Sequence, residues 1–171
     1  MTDWIGRTLS KVEIQKLLGR GGMAEVYLGR HTTLNRPVAV KILHSYLSED
    51  ETLLQRFRTE AQAVAAMRHP NIVQVFDFDT VEDHPYIVME LLEGASLADY
   101  LRTLRRAGRT LPPEATARLV AGLAAALDYA HARGIVHRDI KPANVMLRRA
   151  SGPLDPEAPL PPDAEPVLTD F

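Results

Sequence analysis

The chain has 171 residues, with 20 Lys and Arg against 22 Asp and Glu, a formal net charge of −2 and no cysteine. A hydrophobic share of 46% with 25% charged residues is that of a soluble globular chain, long enough for one domain or part of a larger one. The near-neutral balance excludes nucleic acid or an anionic membrane as the main partner, and the lack of cysteine excludes disulfides and cysteine metal sites. No signal pattern and no bilayer-length apolar run stands in this stretch, so the expected location is the cytoplasm, with any membrane anchor beyond residue 171.

After a short lead over residues 1–10, Val12, Ile14 and Leu17-Leu18 predict a strand running into Gly19-Arg20-Gly21-Gly22-Met23-Ala24, and Glu25 to Arg30 predicts its antiparallel return. A glycine-rich turn between strands can lay backbone N–H groups along a phosphate chain, because no side chain blocks the approach. A dinucleotide-binding turn would be followed by a helix, and a P-loop by Gly-Lys-Ser/Thr; neither follows here. Pro37 to Leu43 is the next strand, with Lys41 inside an apolar run. Ser48 and Glu51 form a capping box for a helix to about Met67, on which Leu53, Phe57, Glu60, Val64 and Met67 share a face. An ionised Glu60 in that stripe needs a cation. Arg56 is four residues away, but Lys41 in the adjacent strand is preferred, since each resolves the other's burial. Ile72 to Phe76 and Tyr86 to Glu90 complete five strands, giving a first lobe over 11–90 and a connector over 91–94.

The second half, 95–171, opens with a helix capped by Ser96, with Asp99 in its first turn, Leu97, Leu101 and Leu104 on one face, and Gly108 as its stop. Arg102, Arg105 and Arg106 suit the negative end of the helix dipole and read as a solvated cationic end. Pro112-Pro113-Glu114 begins a longer alanine-rich helix that buries Leu119, Leu123, Ala126 and Ala130 and ends at Gly134. Then comes His137-Arg138-Asp139-Ile140-Lys141-Pro142-Ala143-Asn144, between two short apolar runs that read as buried strands, Ile135-Val136 and Val145 to Leu147. Pro142 removes a donor and pushes Lys141 to extended geometry, so this is a shaped loop. Asp139 could accept a proton, Lys141 could neutralise an anionic oxygen, and the Asn144 carbonyl could ligate a hard cation such as Mg²⁺. Only four of the 20 basic residues are lysines, Lys11, Lys16, Lys41 and Lys141, which draws notice to two of them. Residues 148–166 hold six of the twelve prolines with no apolar periodicity, and are expected to be an extended or disordered insertion, not folded, before a last strand at Val167 to Phe171.

Together these segments resemble the eukaryotic-like (Hanks-type) serine/threonine protein kinase family, in its bacterial form, over nearly the whole chain. The resemblance implies an α+β fold: a five-stranded antiparallel first lobe with one main helix, followed by the beginning of a mainly helical second lobe. It implies ATP and Mg²⁺ as cofactors. Gly19, Arg20, Gly21 and Gly22 would belong to the nucleotide loop, with Ala24 where a third glycine is common, and Val26 and Ala39 would line the nucleotide site. Lys41 matches the lysine on the α- and β-phosphates and Glu60 its helical partner. Met89 matches the gatekeeper, and Glu90 to Leu92 the hinge that meets adenine. Asp139 matches the catalytic base, Lys141 the residue on the transferring phosphoryl group in serine/threonine kinases, and Asn144 and Asp170 the magnesium ligands. Arg138 before Asp139 implies control through activation-loop phosphorylation, and self-association for autophosphorylation is a further implied partnership.

The family pattern continues beyond Asp170-Phe171 with a glycine, an activation segment and more helices. On the sequence alone, the polypeptide as written is expected to have little or no kinase activity, to fold poorly outside the first lobe and to leave exposed apolar surface on its long helix. The rival readings are a nucleotide-binding pseudokinase or scaffold, weighed against by the intact Lys41, Glu60, Asp139, Asn144 and Asp170, and a small-molecule phosphotransferase of related fold.

Overall fold

A computed structural model of the chain describes residues 3–44, 51–149, 152, 155 and 157–170, with the side chains of 51–54, 56, 57 and 60 outside the description. It falls into two compact units: 1–66 with 74–91, and 67–73 with 92–171.

The first unit is an antiparallel sheet in the order β1-β2-β3-β4-β6-β5, made of β1 (Thr8–Leu9), β2 (Val12–Arg20), β3 (Ala24–His31), β4 (Arg36–Leu43), β5 (Val75–Val81) and β6 (His84–Met89). The helix α1 (Glu51–Ala65) packs against β5. The sixth strand, β1, was not anticipated. Its source is the lead, which folds in: the Gly6 N–H donates to the Ile14 carbonyl at 2.8 Å, and Trp4 and Leu9 are each 2% exposed in the core with Ile14, Val38, Val40, Ile42, Tyr86 and Val88. Arg7 then stacks its guanidinium 4.6 Å from the Trp4 ring centroid and pairs with Glu82. Burying an indole and a leucine outweighs ordering residues 3–10, which carry little other signal. The β5–β6 turn is a two-residue hairpin with both central residues left-handed, Glu82 at φ 45 and Asp83 at φ 61, as a type I′ turn requires. The capping box expected at Ser48 and Glu51 lies outside the described residues.

In the second unit, α2 (Leu97–Arg106) begins as expected, the Asp99 N–H donating to the Ser96 hydroxyl at 3.1 Å. It ends at Gly108, where the Arg109 N–H reaches back to the Leu104 carbonyl at 2.8 Å in a Schellman closure. The long helix α3 (Pro113–His131) closes in the same way, Ile135 N–H to Ala130 carbonyl at 3.1 Å. A hairpin of β7 (Val145–Arg149) and β8 (Ala164–Leu168) packs beneath α2 and α3, with Tyr100, Leu104, Leu119, Leu147 and Ala164 as its core. Val120, 58% exposed, is a large outward apolar residue of α3.

Three expectations are corrected here. Ile135-Val136 is not a strand: Ile135 closes the helix cap and Val136 is 58% exposed. The proline-rich stretch is partly folded, because its end forms β8 and its carbonyls are taken up: Tyr100 donates to Ala158 at 3.0 Å, Arg109 to Glu157 at 3.2 Å and Arg118 to Pro161 at 3.2 Å. Residues 67–73, read with the first lobe, group with the second unit, where Ile72 bridges Leu168 in parallel and Asn71 donates to the Pro166 carbonyl at 2.7 Å. A single apolar run cannot reveal which neighbour it will pair with.

The entry to α2 depends on Gly94. Its φ of +156 and the 2.3 Å separation between an added Cβ and the Leu147 carbonyl oxygen leave no room for a side chain, and Leu147 also donates to Ala95 at 2.9 Å. Gly94→Ala is expected to destabilise the fold by roughly 1–3 kcal/mol, read as a lower denaturant midpoint at unchanged m-value.

Candidate active site

In the first unit, antiparallel pairing aligns the side chains. Val26 lies opposite Lys41 and Lys41 opposite Ile87, while Ala39 lies opposite both Leu28 and Met89. Directly paired residues point to the same face, so Val26, Ala39, Lys41 and Met89 share the side of the sheet away from the Val38, Val40 and Ile42 core. Strand alternation thus produces a half-buried lysine whose neighbours are small or apolar. Gly19 stands opposite Val26 at the mouth of the β2–β3 hairpin, and the Gly21 N–H donates to the Ala24 carbonyl at 2.8 Å to close its tip. A Cβ at Gly19 or Gly22 would meet nothing within 4 Å among the described residues, and neither is left-handed, so no described neighbour requires glycine at these positions. What their bare backbone provides is room for something to approach.

Arg20 forms an ion pair through its Nε with Glu25, 3.0 Å away, and the Tyr27 hydroxyl donates to the other Glu25 oxygen at 2.6 Å. Glu25 is a buried carboxylate: the Tyr27 hydrogen bond satisfies Oε2, and Oε1 is met by the Arg20 ion pair without a hydrogen bond among the described residues. Burial, with the Glu25 hydrogen bond second, pushes the Tyr27 phenol up. The Arg20 side chain therefore serves the hairpin. At the far end of β6 the Glu90 N–H donates to the Gln74 carbonyl at 2.8 Å. Leu92, half-buried, opens the longer segment of the second unit. Glu60 lies on α1; its side chain, and with it the expected pairing to Lys41, lies outside the described residues.

In the second unit, Asp139, Lys141 and Asn144 come together. Lys141 takes the extended backbone expected before proline, φ −153 and ψ 158, and Pro142–Asn144 makes one 3-10 turn that leads into β7. This brings Lys141 Nζ to 2.6 Å from Asp139 Oδ2, and Asn144 Nδ2 to 3.0 Å from the same oxygen and 2.9 Å from the Asp139 carbonyl. Among the described residues no donor reaches Oδ1. The hydrogen bond from Lys141, followed by that from Asn144, holds the Asp139 carboxyl below the usual carboxylate range. Asn144 is 5% exposed; with its amide nitrogen spent on Asp139, its Oδ1 is the atom left for a cation.

Two supporting residues were not assigned from sequence. His137, 5% exposed, accepts the Asp139 N–H on Nδ1 at 3.3 Å and so donates from Nε2 to the Thr169 carbonyl at 2.8 Å. Thr169 in turn donates its N–H at 3.0 Å and its hydroxyl at 3.2 Å to the Asn144 carbonyl. A histidine two residues before a candidate base was the available signal for the first; Thr169 carried none. Arg138 and Asp170, with left-handed φ of 65 and 59, flank this latch, and such strain is tolerated where the surroundings over-determine it. Asp170 directly follows Thr169, so the latch also positions the second expected oxygen ligand. Asn144 Oδ1 and a carboxylate are hard donors, a set that fits Mg²⁺, which keeps waters and takes few protein ligands.

The protein kinase domain model matches residues 12–156, and the chain belongs to that family, whose members generally use ATP and Mg²⁺. It is 50% identical over 145 residues to a probable serine/threonine-protein kinase of Streptomyces coelicolor, covering 81% of this chain and 21% of that protein. It is 43% identical over 148 residues to the serine/threonine-protein kinase Pkn1 of Myxococcus xanthus, covering 86% and 20%. Among solved structures, the Mycobacterium tuberculosis PknI kinase domain superposes with a TM-score of 0.79 at 31% identity, covering 97% of this chain and 61% of that one. The chain thus spans about a fifth of the length of these two curated relatives. The α+β kinase fold anticipated from the sequence is present, with a sixth strand added to its first sheet. No described helix is long and apolar enough to cross a membrane.

Lowering of the Asp139 pKa has a definite sign. Its contribution to stability is present above the unfolded aspartate value, about 3.9, and is lost as pH falls through the lower folded value. Lys141→Ala is expected to bring the Asp139 titration back towards the ordinary aspartate range, followed by carboxyl-carbon NMR. An unchanged titration would show that the Lys141 contact does not form in solution.

Proposed function

We propose that this chain carries the nucleotide-binding and catalytic-loop parts of a protein kinase that transfers the γ-phosphoryl group of ATP to serine and threonine hydroxyls. The observation that carries the reading is the division of labour on Asp139: Oδ2 is shared by Lys141 and Asn144, and Oδ1 is left to accept a hydroxyl proton. A carboxylate held below its usual pKa is a weak base, so its main work is to orient the hydroxyl and take the proton late. That suits a loose phosphoryl-transfer transition state, where charge stabilisation dominates.

In this reading Gly19 to Gly22 lay their backbone on the phosphates, Val26, Ala39 and Met89 bound the adenine, and the Glu90 carbonyl and Leu92 backbone meet its edge. Lys41, oriented by Glu60, binds the α- and β-phosphates. Lys141 neutralises the moving phosphoryl oxygens. Asn144 and Asp170 hold magnesium, which when bound draws charge from the phosphate oxygens. Serine/threonine preference is supported by Lys141 and by the relatives' names. The substrates are proteins, a second copy of the chain among them, and the setting is the cytoplasm, where ATP is supplied.

The test uses the full-length protein. Asp139→Asn is expected to lower kcat for phosphate transfer to a protein substrate by about 10²–10⁴-fold, while the thermal shift induced by MgATP persists. A nucleotide-induced shift with no transfer by the unmutated protein would support the scaffold reading instead.

A further inference from the structure

We propose that the groove between α2 and the Lys141–Ala143 turn selects acidic residues flanking the accepting serine or threonine of a protein substrate, an inference that rests on the kinase reading above. The groove lies within the second unit and has a volume of about 880 Å³. Every ionisable side chain lining it is cationic: Arg102, Arg105, Arg109 and Lys141. Leu101, Leu104, Leu111 and Pro142 give it an apolar floor.

Helical spacing builds this wall. Ala98, Leu101, Arg102 and Arg105 follow one another at i, i+3, i+4 and i+7 on α2, so one stripe carries apolar contact and positive charge together. Arg109 follows the Gly108 stop and completes the rim. The charges are unevenly compensated. Arg102 Nη1 is 2.7 Å from Asp99, and Lys141 Nζ is 2.6 Å from Asp139. Arg109 donates to the neutral Glu157 carbonyl, and Arg105 has no anionic partner among the described residues. Two positive charges therefore remain over an apolar floor. The half-charge at a helix C-terminus accounts for less than this, and Arg106, in the same last turn but outside the groove, already faces it.

The complementary occupant is a segment that brings carboxylates to the guanidinium forks and an apolar side chain to the floor. Because Lys141 is both wall of the groove and hydrogen-bond partner of Asp139, such a segment is continuous with the hydroxyl that Asp139 receives. The groove thereby discriminates among hydroxyl-bearing chains by their flanking charge.

The experiment compares three peptides on the full-length protein: one threonine flanked by glutamates, by glutamines or by lysines. Binding is followed by fluorescence anisotropy and phosphate transfer by kcat/KM. The glutamate peptide is expected to be favoured over the glutamine peptide by about tenfold, as two exposed ion pairs allow, with the preference shrinking at high salt. Arg105→Glu is expected to abolish that ratio or turn it towards the lysine peptide, whereas Arg106→Glu leaves it in place. Equal handling of the glutamate and glutamine peptides, or an Arg106→Glu effect as large as that of Arg105→Glu, overturns the inference. The two levels separate cleanly. Transfer without charge preference removes the groove's role and leaves the kinase reading standing. Charge-selective binding without any transfer does the reverse.

Discussion

Asn144 is where the second unit's loop is tied to its sheet, and most of the site geometry follows from that tie. Its backbone N–H closes the 3-10 turn on Lys141 at 2.9 Å, its carbonyl accepts from Thr169, and its side-chain nitrogen bonds twice to Asp139. A buried amide with so many of its groups engaged has a single workable orientation, which leaves its oxygen turned away from Asp139. His137 closes the circuit from the other side by linking the Asp139 N–H to the Thr169 carbonyl. Removing any member would leave a buried donor or acceptor without its partner, a loss larger than the net worth of one hydrogen bond.

The first unit solves a different problem with strand parity. One face of β4 carries Val38, Val40 and Ile42 into the core, and the alternate residues Ala39 and Lys41 are left for the opposite face. Trp4, Leu9 and Tyr86 close the core face, so the sheet needs no further cover there. The opposite face carries Ala39 and Lys41, and Lys41 is centred between β3 and β6, opposite Val26 and Ile87. In both units the reactive groups stand on or beside rigid elements, whose positions are set by packing that the chemistry does not involve.

Legibility followed the range of the interactions involved. The β2 to β4 strands, the Ser96 cap, the Gly108 and Gly134 stops and the extended Lys141 are written in local chemistry, and each is found where its residues place it. The Asp139, Lys141 and Asn144 cluster was legible because its members lie within six residues and a proline shapes the loop between them. What was hidden depends on distant partners. Nothing near Trp4 announces that it will meet His84 and Val38, and nothing near Ile72 announces Leu168. The proline-rich stretch is poor in periodic apolar residues, yet Leu160 and Ala164 dock on the α2 and α3 core and its carbonyls find donors on those helices. Composition describes what a segment can do alone, not what a neighbouring surface can do for it.

The scarcity of lysine acquires a physical sense at Asp139. Twenty basic residues include only four lysines, and arginine serves the surface: Arg7 on Trp4, Arg36 3.9 Å from the Phe76 ring centroid, Arg133 3.6 Å from that of Tyr129. A guanidinium placed at Lys141 would present a planar fork that matches both oxygens of a carboxylate at once. Asp139 would then be fully committed, with Oδ1 no longer available for a hydroxyl. An ammonium is a point donor, so it can share Oδ2 with Asn144 and direct its remaining N–H bonds elsewhere. The choice of lysine at this position leaves the carboxylate half-occupied, and in the proposed reading half-occupied is the condition under which it is held in place and still receives a substrate hydroxyl.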